Sequence, residues 1–95
     1  MTSVVKFDHA WTLSPQVALR PESFGALAYH FGNRRLTFLK QPVLVRLVRE
    51  LESSASVDEA MELAEVPAAE RPVFLTALQN LADGDMIRPR EAVDD

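Results

Sequence analysis

The chain has 95 residues, 47% of them hydrophobic, which suffices for one compact domain and is too little for two. It has no cysteine, which excludes disulfide frameworks, thiolate nucleophiles and cysteine metal sites together, and fits a protein that works in the cytoplasm. The net charge of −4 hides an asymmetry: residues 1–49 carry seven basic and two acidic side chains, residues 50–95 three and twelve. The acidic average argues against generic nucleic-acid binding, while the basic first half suits an acidic partner.

Met1 to Ala10 contains Lys6, Asp8 and His9 and no long apolar run, so it reads as neither a secretory signal nor a membrane anchor. Val17 to Arg20 is a short strand that Pro21 ends, and Leu27 to Phe31 is a second strand. Gly32-Asn33 has the chemistry of a two-residue turn and leads into a third extended run, Arg34 to Phe38. That turn places Phe31 opposite Arg34, Tyr29 opposite Leu36 and Leu27 opposite Phe38. The large apolar residues then share one face, and Ala28, His30, Arg35 and Thr37 share the other.

After Pro42 the hydrophobic period changes. Leu44, Leu47, Val48 and Leu51 form one face of a first helix, with Pro42 in its opening turn. Ser56-Val57-Asp58-Glu59 is a capping-box pattern that starts a short second helix with Val57, Ala60, Met61 and Ala64 in one stripe. A third helix is expected from about Ala69 to Asp83, with Phe74, Leu75, Leu78, Leu81 and Ala82 inward and Gly84 ending it. Met86 to Arg88 is a brief extended tail, and Glu91 to Asp95 reads as frayed. The fold class is therefore α+β, an N-terminal antiparallel sheet of two or three strands followed by three helices, in an order like that of a winged helix-turn-helix.

No set of residues has the spacing that catalysis requires. His9 falls in the N-terminal tail, and His30 reads as a surface or half-buried strand residue. Neither belongs to a metal-ligand motif. Glu59, Glu62, Glu65 and Glu70 are the solvated side of the second helix and its connection, and Gly25 and Gly32 form no phosphate cradle. Trp11 and Tyr29 lack the surrounding basic density that base stacking would need. No catalytic residue, metal, nucleotide or redox cofactor is expected.

The run Ala18-Leu19-Arg20-Pro21-Glu22-Ser23-Phe24-Gly25-Ala26-Leu27-Ala28-Tyr29-His30-Phe31-Gly32-Asn33-Arg34-Arg35-Leu36-Thr37-Phe38-Leu39 resembles the signature segment of the mycofactocin-type branch of the PqqD-like family. The resemblance covers roughly residues 10–89, and it is specific in the strands and generic after Pro42. It implies a three-stranded, winged-helix-like RiPP recognition element across the whole chain. Such a domain binds the leader of a precursor peptide and presents it to a radical SAM maturase. The leader would add as a strand beside Arg35 to Phe38, sending apolar side chains into a groove against the third helix.

The peptide-binding residues so implied are Arg34, Arg35, Leu36, Thr37 and Phe38 on the strand, and Arg71, Val73, Phe74, Ala77 and Asn80 on the helix. Arg34 and Arg35 would attract the carboxylates of an acidic leader, and a proline at Thr37 is expected to remove a donor that the leader needs. The main rival is a winged-helix transcriptional regulator, with Thr76, Gln79 and Asn80 reading bases. Against it, the third helix carries Glu70 and Asp83 and a single base, Arg71, which a polyanion would meet with repulsion. A third reading is a subunit that only stabilises an enzyme. No membrane partner is expected.

Overall fold

The computed structural model describes residues 4–90. In chain order the elements are β1 (Trp11–Leu13), β2 (Val17–Glu22), β3 (Gly25–His30), β4 (Leu36–Leu39), α1 (Pro42–Leu51), α2 (Val57–Leu63), α3 (Arg71–Asp83) and β5 (Ile87–Pro89). A 3-10 turn, Ala68–Glu70, leads into α3 and occupies the residues from which the helix was expected to start. The architecture is α+β, with an antiparallel sheet in the order β2-β3-β4 and three helices after it. The strand order differs from expectation in one respect. Trp11–Leu13 precedes the sheet and pairs antiparallel with the tail strand β5, making a separate two-stranded sheet that joins the two ends of the chain. The expected fraying of Glu91 to Asp95 concerns residues outside those described.

The register of the β3–β4 hairpin is as the sequence predicts, with Leu27 opposite Phe38 and Tyr29 opposite Leu36. The turn that sets it is different. Neither Gly32 nor Asn33 has positive φ; the left-handed residue is Arg34, at φ 63°. The N–H groups of Gly32 and Asn33 both donate to His30 Nδ1, at 3.0 Å each, and Arg34 N–H donates to the His30 carbonyl at 2.8 Å. A buried side chain thus closes a five-residue connection, Phe31 to Arg35. Gly32 is favoured for space rather than for φ, because a Cβ there would lie 2.0 Å from Gln16 Oε1, a side-chain end that can swing away, and 2.8 Å from Cε1 of the buried His30 ring. The two-residue turn of the sheet is Ser23-Phe24 instead, which sets Glu22 opposite Gly25. Gly25 has φ 146°, and a Cβ on it would meet the Leu39 carbonyl oxygen at 2.1 Å.

Pro21 does not end β2, which continues to Glu22. Phe31 N–H donates to the Gln16 carbonyl at 2.8 Å, and the alternation of an antiparallel ladder then turns the backbone of Ala18, Arg20 and Glu22 toward β3 and that of Val17, Leu19 and Pro21 outward. A proline on that free edge costs no ladder hydrogen bond.

The helices follow their patterns. Leu47, Val48 and Leu51 of α1 are buried, as are Val57, Ala60 and Met61 of α2 and Phe74, Leu78, Leu81 and Ala82 of α3. Ser56 caps α2, its Oγ accepting from Glu59 N–H at 3.1 Å, while the Glu59 carboxylate reaches back to Ala55 N–H. The segment before β1 completes this cap, since Val57 and Asp58 N–H donate to the carbonyls of His9 and Phe7. Val5 on the same segment is buried.

Two helices end in Schellman motifs. In α2 the Val66 and Glu65 N–H groups donate to the Met61 and Glu62 carbonyls, and in α3 those of Met86 and Asp85 donate to Leu81 and Ala82. The left-handed positions are Glu65 and Asp85, so Gly84 stops α3 without supplying the positive φ that its place suggested. The Arg90 guanidinium donates to the Leu51, Glu52 and Ser54 carbonyls, capping the end of α1 from the far end of the chain.

Candidate peptide-binding edge

β4 pairs with β3 on one side only, so its other side is a sheet edge. Which backbone groups it offers follows from one hydrogen bond. His30 N–H donates to the Arg35 carbonyl at 3.0 Å, so the pairs His30–Arg35, Ala28–Thr37 and Ala26–Leu39 are the hydrogen-bonded ones. Thr37 and Leu39 therefore turn their N–H and C=O toward β3, and Leu36 and Phe38 turn theirs outward. This corrects the expectation for Thr37. A proline there would break the internal ladder, and the donors available to an added strand are those of Leu36 and Phe38.

The side chains obey a second alternation. Leu39 is buried and Thr37 half-buried on the face toward the helices, while Leu36 and Phe38 are 56% and 59% exposed on the opposite face. Arg34 and Arg35 lie exposed at the hairpin tip, where Arg35 N–H donates to Asn33 Oδ1 at 2.9 Å. Neither guanidinium has an ion-pair partner among the described residues.

The expected helix residues divide into two groups. Val73 (67% exposed), Ala77 and Asn80 follow one another at helical spacing along an accessible stripe of α3. Phe74 is buried in the core. Arg71 is committed within the fold: its Nε donates to the Val66 carbonyl at 3.2 Å and its Nη1 to Asp58 Oδ1 at 3.1 Å, tying the start of α3 to α2. The far end of α3 is tied to the hairpin. Asn33 Nδ2 donates to the Gly84 carbonyl at 3.3 Å, and His30 Nε2 lies 3.5 Å from Asp85 Oδ2. His30, expected at or near the surface, is 4% exposed and bridges the hairpin turn and the helix end. The small residues around it hid this role, and only its position two residues before a Gly-Asn pair hinted at it.

A sheet edge with outward backbone groups and accessible apolar side chains is the build of a binding domain. Residues 10–88 match the model of the peptide chaperone MftB family. The chain is 46% identical over 85 residues to the peptide chaperone MftB of Mycobacterium ulcerans, spanning 90% of this chain and 78% of that one. It is 43% identical over 84 residues to the Mycobacterium tuberculosis protein of the same name (88% and 77%), and 42% over 82 residues to that of Mycolicibacterium smegmatis (86% and 80%). The chain belongs to the peptide chaperone MftB family, the chaperone of the mycofactocin system, and its role is non-catalytic. No solved structure matches it. Among the described residues no helix is long and apolar enough to cross a membrane, and no three His, Asp or Glu side chains are grouped as metal ligands.

Proposed function

We propose that the protein binds the leader of the mycofactocin precursor peptide as a fourth strand on β4 and delivers it to a radical SAM maturase. The observation that carries this reading is the outward backbone of Leu36 and Phe38 on an edge strand. Two residues with both groups outward offer an extended chain up to four main-chain hydrogen bonds in register. Peptide side chains directed to the helical side would meet the Val73, Ala77 and Asn80 stripe, whose helix is held to the hairpin through Asn33 and His30. Arg34 and Arg35 supply attraction for leader carboxylates, which added salt would weaken.

In this reading the fold is a winged helix-turn-helix turned to peptide capture, with α2 and α3 as the helix pair and β2-β3-β4 as an enlarged wing. DNA readout is disfavoured by α3 itself. Its one cation, Arg71, is occupied by Asp58, so the helix would meet phosphates with no free positive charge among its own residues.

The test is a proline scan of the edge. Phe38→Pro removes an outward donor and should weaken precursor binding at least about tenfold relative to Phe38→Ala, with the circular dichroism of the domain retained. Thr37→Pro should unfold the hairpin instead. In the unsubstituted protein, amide shifts on adding precursor should be largest for residues 34–39 and 70–81. A folded Phe38→Pro variant that binds as well as Phe38→Ala would remove strand addition from the account.

A further inference from the structure

The sheet has a second accessible surface, distinct from its edge. Leu27, Tyr29, Phe31, Leu36 and Phe38 all project from the face opposite the helices, and the Phe24 ring packs edge-on to Phe38 at 5.8 Å between centroids. Tyr29 and Phe31 make a like contact at 5.2 Å. Ala18 and Arg20 of β2 complete an open groove of about 500 Å3 with Leu27, Tyr29, Phe31 and Leu36. At roughly 150–250 Å2 for each aromatic side chain, the accessible part of this face is on the order of 500 Å2, at the upper end of what a monomer ordinarily leaves bare.

Three arguments narrow the occupant. An extended peptide fits poorly, because the backbone of β3 is paired on both sides and offers no hydrogen bonds to a chain lying across it. The face runs from Phe24 at one end of the sheet to Phe31 at the other, which suits a broad folded surface. Charge then separates a second copy from a different protein. Arg20 and Lys40 border the face and Arg34 adds a cation at the hairpin tip, against Glu22 as the one acid on this side of the sheet among the described residues, and none of the three cations has an ion-pair partner among those residues. Two copies meeting face to face would bring these cations together, whereas an apolar patch ringed by carboxylates would neutralise them.

We infer that this outer face is the docking surface for a folded protein whose apolar patch is ringed by carboxylates, and that this protein is the maturase. The identity of the partner rests on the delivery reading above; the chemistry of the face does not. Since the occupied face and the β4 edge are different surfaces, the chaperone can hold peptide and enzyme at the same time.

The experiment uses the full chain, the purified maturase and the precursor peptide, with Phe31→Glu and Arg20→Glu as variants at exposed positions outside the peptide edge. Each variant should bind the maturase at least about tenfold more weakly, as expected for an aromatic anchor or a charge reversal at an interface, and the precursor within about twofold of the unsubstituted protein. Circular dichroism checks that both variants fold, and sedimentation measures self-association. Maturase affinity unchanged in both folded variants would overturn the docking face while leaving peptide delivery standing. A dimer that Phe31→Glu dissociates would assign the face to a second copy, and lost precursor binding would make it part of the peptide site; either outcome overturns the inference. An unsubstituted chain that binds the maturase through this face but no precursor would sink the delivery reading and leave the docking face intact.

Discussion

The two faces of the three-stranded sheet invert the usual distribution of side-chain size. The face against the helices is built from Ala26 and Ala28, exposed by 0% and 1%, with Val17, His30 and Leu39, while the opposite face carries Leu27, Tyr29, Phe31, Leu36 and Phe38. An ordering by hydrophobicity alone would bury the larger set. The small set is inside because α1 packs directly on β3, and a backbone approached by a helix has room for methyl groups and little more. The larger side chains remain outside, where they have a use only if something covers them. Alternation in a strand therefore shows which residues share a face, and the element lying across the sheet decides which face is buried.

The strongest way to break this comparison is to put a large residue inside. Ala28→Leu adds three carbons where no space remains, and α1 would have to lift from β3. The expected loss is about 2–3 kcal/mol of stability, read as a lower denaturation midpoint in urea with an unchanged slope. A loss under about 0.5 kcal/mol would mean that the inner face is loosely packed and that its small residues have another cause.

Much of the fold was legible because local rules agreed with one another. The three helices are where their apolar stripes and their proline and serine starts put them, and the hairpin register followed from parity. Two features that the sequence did not show share a physical cause, which is distance along the chain. β1 is stabilised by β5, whose partner residues are more than seventy positions away, and a three-residue strand has no periodicity of its own to read. Arg90 closes α1 from thirty-six to thirty-nine residues downstream. At the candidate site the edge strand was legible from its order in the chain. The direction of its backbone groups was not, because it depends on the His30–Arg35 hydrogen bond and hence on a turn closed by a side chain. Arg71 likewise reads as a free cation until Asp58 is brought beside it.

His30 sharpens the comparison, as the one ring on the inner face with a polar task. Its Nδ1 accepts from Gly32 and Asn33, so the ring carries its proton on Nε2, toward Asp85. His30→Ala removes the shared acceptor and leaves a small void. Because the loop is exposed, water replaces part of the lost bonding, and the expected cost is about 1–2 kcal/mol. Amide exchange in the Phe31 to Arg35 connection should accelerate more than exchange in α1. His30→Asn, which keeps an acceptor near the same place, should recover part of the protection. Uniform acceleration across the domain would show that His30 acts as core filling only.

The smallest effect is expected on the outer face. Phe31 is 61% exposed, and its ring touches Tyr29 edge-on rather than filling a cavity. Phe31→Ser gives up that aromatic contact, worth about 0.5–1.5 kcal/mol when fully formed and less where water reaches both rings. It leaves the backbone of the hairpin tip unchanged, because the loop is held by His30 and Asn33. Removing an exposed aromatic also relieves some unfavourable contact with water in the folded state. The net change in unfolding free energy should therefore stay within about 0.5 kcal/mol of zero, far below that for Ala28→Leu on the other face of the sheet. A loss above about 2 kcal/mol would show that the outer aromatics form a second core, and the two faces would then differ in residue size but not in their contribution to the fold.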